Sequence, residues 1–370
     1  MEITAQHVWL MVSAAMVLLM TPGLGLFYGG MTRAKAALNM IMMSFISAGI
    51  VGVVWVLWGY SMTTGEGVLG IFGNPFASFG FQNLMGSPDL IKAGYSATFA
   101  IITVALISGA IADRAKFGAW ALFVPLWITV VYCPLAYRVW GGGLMSADGA
   151  VTAIFGQVID FAGGAVVEIS SGTAALVLAL IVGQRHGFAK DPNHRPHNVP
   201  FIMLGAAILW FGWFGFNGGA ATTAEQAGLI WVNTLVTPAA AMLSWLVTEK
   251  VRHGHPTSLG AASGVVAGLV AITPSCATSA LWPQSAWAWQ QEPPAPSSLT
   301  SNTASVSTIP STWWASTWGP DSSEPLRWVS SPSRWTGRAA ASFTAAAFSS
   351  WSPSPPPWSS PCCCPASGPW

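Results

Sequence analysis

Charge is what this sequence most conspicuously lacks. Of its 370 residues only 7% are Asp, Glu, Lys or Arg, against about 25% in an ordinary soluble domain. So few charges cannot cover a water-facing surface, which excludes a soluble globular chain of normal polarity. The formal net charge is +1, so no basic surface for nucleic acid is expected. The five cysteines, Cys133, Cys276 and Cys362 to Cys364, show neither metal-ligand nor disulfide spacing. There is no Walker-type loop, zinc motif or nucleophile elbow. No metal, cofactor, catalytic group or ATP-driven step is therefore expected, and the chain does not read as an enzyme.

What the chain has instead is apolar residues, 52% of the total, in runs near the ~20 residues a helix needs to cross a bilayer core of roughly 30 Å. Eight spanning helices are predicted, over 8–27, 38–60, 94–112, 118–137, 162–182, 199–216, 229–248 and 259–273. Glycines recur within them, as expected where helix backbones pack closely in lipid. The first run could also be a signal peptide, but no basic segment precedes it. With the N-terminus outside, the inward loops hold Arg33, Lys35, Arg114, Lys116, Arg185, Lys190, Arg195, Lys250 and Arg252, and the outward loops only Lys92 and Arg138. Nine basic residues against two favour that orientation by the positive-inside rule. The run Trp140-Gly141-Gly142-Gly143 then lies on the outer face.

Near Cys276 the composition breaks. Residues 279–370 are rich in Ser, Pro, Ala and Trp, hold 11 of the 21 tryptophans, and contain almost no Ile or Val. They offer no spanning run and no periodicity for a packed domain. A disordered, proline-rich cytoplasmic tail is one reading, but such tails are poor in aromatics. A reading-frame error in GC-rich DNA fits better. With codons begun at the third base of each stated codon and suitable wobble bases, TASVSTIPSTWWASTWG (303–319) becomes RLGFDDSLDVVGVHLG. The same operation gives an apolar, glycine-rich run from Leu281 onward and LFYGGG near 342–347. The expected organisation is an incomplete transmembrane domain over 1–277 and an out-of-frame, disordered tail over 278–370.

Several motifs in order make the chain resemble the ammonium transporter (Amt/Mep/Rh) family. They are TPGLGLFYGGM (21–31), IITVALISGAIADR (101–114), VWGGGL (139–144), DFAGGAVVEIS (160–170), PHNVPF (196–201), GWFGFNGG (212–219) and ITPSC (272–276). The out-of-frame GFDDSLDVVGVHLG is similar to the family's ninth-to-tenth-helix region, with a histidine codon straddling Ser316 and Thr317. The resemblance implies an all-α polytopic fold of two inverted five-helix halves and a final helix, here cut to about eight spans. It further implies ammonium, ammonia or methylammonium as substrate, a homotrimer in the plasma or inner membrane, and a possible cytosolic regulatory protein.

An ammonium ion cannot enter hydrocarbon cheaply, so a selective path needs an outer cation site, a way to remove the proton, and a narrow apolar conduit. Trp140 can offer a π face to a cation or serve as an interfacial anchor; the resemblance favours the first. Asp160 reads as a helix N-cap, and the resemblance adds an electrostatic role at the mouth. Glu168 lies eight positions on, about two turns down the same predicted helix, and an ionisable group inside a span is a functional candidate by default. Many family members have there the first of two pore histidines; some fungal-type members have Glu. A desolvated carboxylate can accept or relay a proton, with a pH dependence unlike a twin-histidine pore. Phe99 and Phe216 match the family's stacked pore-gate phenylalanines, Phe99 also serving the outer site, although either alone would read as core packing. Ala220 stands where the family often has a serine, and Tyr137 where it usually has a histidine. His186, His194, His197, His253 and His255 read as solvated or structural. The function implied is ammonium/ammonia conduction, with this product expected to be inactive for want of its last helices. The alternatives are an ammonium sensor, which would need a folded output domain, and a generic membrane structural protein, which would not need Asp160 and Glu168 on one helix.

Overall fold

The computed structural model describes residues 2–156, 158–185, 188 and 195–277. The expected tail over 278–370, and with it Lys190, His186 and His194, lies outside the described residues. Among the described residues, eight helices are long and apolar enough to cross a membrane: Ala5–Met31, Ala34–Thr63, Asp89–Ile111, Phe117–Trp140, Gly164–Val182, Val199–Gly218, Ala224–His253 and Ser258–Ser275. They are called spans one to eight below. The expected polytopic helical architecture holds, with five spans of a first half and three of a second. Each predicted run falls on one span, and the spans mostly run a few residues further. The second begins at Ala34 rather than 38, because its first turn carries Lys35, which hydropathy alone sets outside.

Span one is a packed member of the bundle. Val17 and Leu24 within it are fully buried, and its main neighbour is span six. Glycine makes that approach possible. A Cβ on Gly205 would sit 2.6 Å from the carbonyl oxygen of Gly23, and one on Gly30 would meet the Asn198 carbonyl at the same distance. Spans seven and eight meet likewise, where Gly268 lies against Pro238. Small residues at such crossings let helix backbones gain dispersion contacts that larger side chains would block.

Helix ends are held by local chemistry. Thr4 and His7 form a reciprocal cap at the start of span one. Asn198, Thr223 and Thr257 accept backbone N–H bonds at the starts of spans six, seven and eight. On the side where span one ends, Arg33 pairs with Asp113 at 2.7 Å, and the His197 ring bonds the carbonyl of Thr32. Asp113 sits at φ 62°, a left-handed conformation that an aspartate tolerates better than most residues.

On the opposite side, where the chain begins, two connections are long, 64–88 and 141–163. After span two comes a two-residue antiparallel hairpin, Gly67–Val68 with Phe72–Gly73, and then a 3-10 turn, Phe79–Leu84. Among the described residues, wider π-helix occurs within spans two and four, at Trp55–Gly59 and Ile128–Tyr132, and at the start of span five, at Gly164–Ile169. Such bulges often mark functional positions. The last begins span five and carries Glu168.

Candidate functional site

The site gathers where the first halves of spans three and five meet the ends of spans four, six and eight. Trp140 closes span four, and its indole N–H donates to the carbonyl of Asp160 at 2.9 Å. That bond fixes the ring while leaving it 42% exposed. The interfacial-anchor reading thus has to accommodate an indole whose N–H is committed inside the protein.

Asp160 is buried just ahead of span five. Its Oδ1 accepts from the backbone N–H of Gly163, and its Oδ2 from Ala165 and Val166, all at 3.0 Å. These are donors that a helix start leaves without partners. The chain can turn this way because Gly163 has φ 113°, which a side chain would strain. The geometry departs from a simple cap. The formal N-cap is Gly163, and residues 160–163 are not helical. The expectation that Asp160 and Glu168 lie two turns apart on one α-helix is therefore corrected: a bent segment and a π-turn separate them. Burial pushes the Asp160 carboxyl up to about 6, against the opposing pull of its backbone N–H donors.

The segment is also tied to span eight. The Phe161 N–H donates to the carbonyl of Pro274 at 3.0 Å, and Gly164 lies so close that a Cβ there would sit 2.6 Å from the Pro274 ring. Below it, Glu168 is 3% exposed, and neither of its carboxylate oxygens has a hydrogen-bond partner among the described residues. A buried carboxylate without donors is costly, so its retention needs a reason beyond packing.

Phe99 reaches the same place from span three. Its ring meets Trp140 edge-on, with centroids 6.2 Å apart at 90°, and stacks on Phe216 at 4.3 Å and 19°. Both phenylalanines are buried, at 5% and 1% exposure. Phe99, Trp140, Asp160 and Phe216 thus converge, and Glu168 follows on the same segment. Two departures noted in the sequence fall outside this convergence. Tyr137 is buried with its hydroxyl on the Gly65 carbonyl at 3.3 Å, so it braces the hairpin. Ala220 is exposed beyond the end of span six.

Sequence reading missed the residues that hold the stack. The Tyr95 ring lies edge-on to Phe99 at 4.9 Å, and its hydroxyl reaches the carbonyls of Gly215 and Phe216 at 3.3 and 3.2 Å. Trp213 packs on Phe216 at 5.3 Å and donates its N–H to Thr273 at 2.8 Å. Asn217 donates to Thr234 at 3.0 Å. Trp213, Asn217 and Thr273 all fall in quoted motifs, but spacing along one strand of text gives no hint that they pair.

Fold and site define a polytopic membrane protein whose aromatic, acidic mouth leads towards a buried carboxylate. Residues 8–286 match the Ammonium Transporter Family, and the chain belongs to that family. It is 52% identical over 294 residues to the ammonium transporter of Mycobacterium tuberculosis, covering 73% of this chain and 61% of that protein. To the ammonium transporter of Aquifex aeolicus it is 47% identical over 280 residues, covering 74% and 63%. It thus spans less than two thirds of these relatives' length. The crystal structure of Saccharomyces cerevisiae Mep2 superposes with a TM-score of 0.70 at 35% identity, over 77% of this chain and 66% of that one. A structure described as a sensor Amt protein gives 0.72 at 25% identity, over 83% and 78%.

Proposed function

We propose that the gene specifies ammonium/ammonia transport across the cell membrane, with the N-terminus outside. The cation is recruited between Trp140 and Phe99 beside Asp160. It loses its proton there and passes the Phe99–Phe216 stack as neutral ammonia, with Glu168 carrying the proton. The observation that carries this reading is the convergence of an exposed Trp face, a buried carboxylate and a stacked aromatic pair at one helix mouth. A Trp face contributes roughly 0.5–2 kcal/mol to holding a cation. The stack excludes a hydrated ion, whose desolvation costs far more. The unpartnered Glu168 oxygens supply an acceptor where a proton would have to go.

The out-of-frame tail belongs to the same proposal. Residues 1–277 form the transmembrane domain, 278–370 arise from a shifted frame, and that shift leaves the chain as written without transport activity. Homotrimer formation and a cytosolic regulator follow for the frame-restored protein by family likeness. Resequencing the DNA around Thr278 tests the shift. Methylammonium uptake in cells without other ammonium uptake tests the function: the frame-restored gene should restore uptake, and its Asp160→Asn variant should not. A sensor would instead leave uptake near background and need an output domain. The likeness to the sensor Amt protein keeps that alternative distinct, and uptake decides it.

A further inference from the structure

The end of span eight touches both parts of the site at once. Its last turn, Thr273–Ser275, is a 3-10 turn with Pro274 at its centre. The Pro274 carbonyl accepts the Phe161 N–H at 3.0 Å, one residue after Asp160, and the Pro274 ring fills the space a side chain on Gly164 would need. One residue earlier, the Thr273 hydroxyl accepts the Trp213 indole N–H at 2.8 Å, and the Trp213 ring packs on Phe216. Thr273 and Pro274 thus stand between the aromatic stack and the backbone that bears Asp160.

Side chains hold this turn in place, because proline has no N–H to anchor it. Asn233 of span seven takes the far side, donating to the Cys276 carbonyl at 2.9 Å. Thr273 makes the tie to span six. Its own proton goes to the Leu269 carbonyl at 2.8 Å, the back-bond of a helical threonine, and its oxygen accepts from Trp213. Asn217 approaches the same hydroxyl at 3.4 Å, too long to replace that bond. Thr273 and Trp213 are 0% and 1% exposed, so bulk water cannot make good a bond lost between them.

We propose that Thr273 is a positioning residue: through its one bond to Trp213 it fixes the acidic mouth against the Phe216 side of the stack. The inference rests on the reading of Asp160 as the carboxylate that attracts the cation. Burial holds that carboxyl near 6 rather than 3.8, while its N–H donors Gly163, Ala165 and Val166 lie in its own segment. Loosening the Pro274 tie admits water and leaves those donors in place, so the carboxyl falls back towards 3.8. The titratable groups that feel Asp160 from the elements around it are Glu168 of span five, Tyr132 of span four and Cys276 after span eight.

Two measurements test it, on wild type, Thr273→Val, Thr273→Ser and Trp213→Phe. Val keeps the shape without the hydroxyl, Ser keeps the hydroxyl, and Phe removes the donor from the other side. In the full chain as written, hydrogen exchange across 160–166 should be several-fold faster in Thr273→Val and Trp213→Phe, and as in wild type in Thr273→Ser, with 34–54 of span two unchanged. Equal exchange in all four, or acceleration everywhere alike, would overturn the proposal. Should Thr273→Val not fold, Trp213→Phe breaks the same bond and decides. Methylammonium binding against pH is then measured on the frame-restored proteins, each also with Glu168→Gln so that the moving group is Asp160. Half-maximal binding should drop from about pH 6 by about one pH unit in Thr273→Val and Trp213→Phe, no further in the double variant, and not at all in Thr273→Ser. A wild-type midpoint in both variants, with only stability lowered, would reduce Thr273 to packing and overturn the proposal. Absence of binding by the frame-restored wild type would sink the transport reading instead, and hydrogen exchange would still decide the role of Thr273.

Discussion

The rings of Phe99 and Phe216 lie face to face, 4.3 Å between centroids and 19° between planes. They come from span three of the first half and span six of the second, so the contact joins the halves. Tyr95 and Trp213 brace it from either side. Replacing Phe216 by Ala should cost about 3–5 kcal/mol, the usual range for emptying a buried Phe site. It should also weaken the barrier to hydrated ions in the frame-restored protein. Phe216→Leu should retain most of the stability. Detergent-titrated unfolding checks the first effect and ion leak in vesicles the second.

Asp160→Asn is less conservative than its size implies. Both carboxylate oxygens are engaged by backbone N–H groups, whereas an amide has one acceptor oxygen and must turn its NH2 towards a donor. The expected loss is about 1–3 kcal/mol for the unsatisfied N–H, together with loss of methylammonium binding. Asp160→Ala should destabilise further. If Asn lowers binding while the unfolding midpoint stays at wild type, the cap has been misjudged.

Asp160 also gives two pH effects of opposite sign. Its folded value lies near 6, above the ordinary 3.8, because it is buried. The folded state therefore holds this proton more tightly than the unfolded chain. The stability this contributes is full below 3.8 and is lost as pH rises through 6. Cation attraction needs the carboxylate, so methylammonium binding should be full above pH 6 and fall as pH drops through it. Isothermal binding and thermal unfolding between pH 4 and 8 should move in opposite directions, and Asp160→Asn should flatten both.

Gly164→Ala probes the tie between the mouth and span eight. The new methyl would meet the Pro274 ring at 2.6 Å, and overpacking of this kind typically costs 1–3 kcal/mol. Phe161 should lose its bond to Pro274, and Asp160 should shift with it. Gly118→Ala, which meets nothing within 4 Å, is the matched control and should be silent in both unfolding and binding.

The spans were legible because length and hydropathy suffice to place them, and only their ends, where Lys35 or Arg138 interrupts the apolar run, drifted. Family motifs brought Phe99, Trp140, Asp160, Glu168 and Phe216 into view. The local path from Asp160 to Glu168 was not readable, since Gly163 takes a positive φ and the next turn is wider than an α-helix. Tyr95 escaped notice because its partners, Gly215 and Phe216, lie 120 and 121 residues away. The Trp213–Thr273 pair escaped for the same reason. Nor does a period of 3.6 or 2 announce a turn such as Phe79–Leu84, whose place is set by Tyr60 and Trp55.

Glu168 bears the central claim, because its two oxygens are buried without partners where the proposed path needs a proton acceptor. The most direct measurement is methylammonium uptake against external pH by the frame-restored protein and its Glu168→Gln variant, expressed at equal levels in cells lacking other uptake routes. The account predicts that Gln, which has nearly the same shape but no titratable proton, abolishes uptake or removes its pH dependence. Uptake and pH profile unchanged by Glu168→Gln would contradict it.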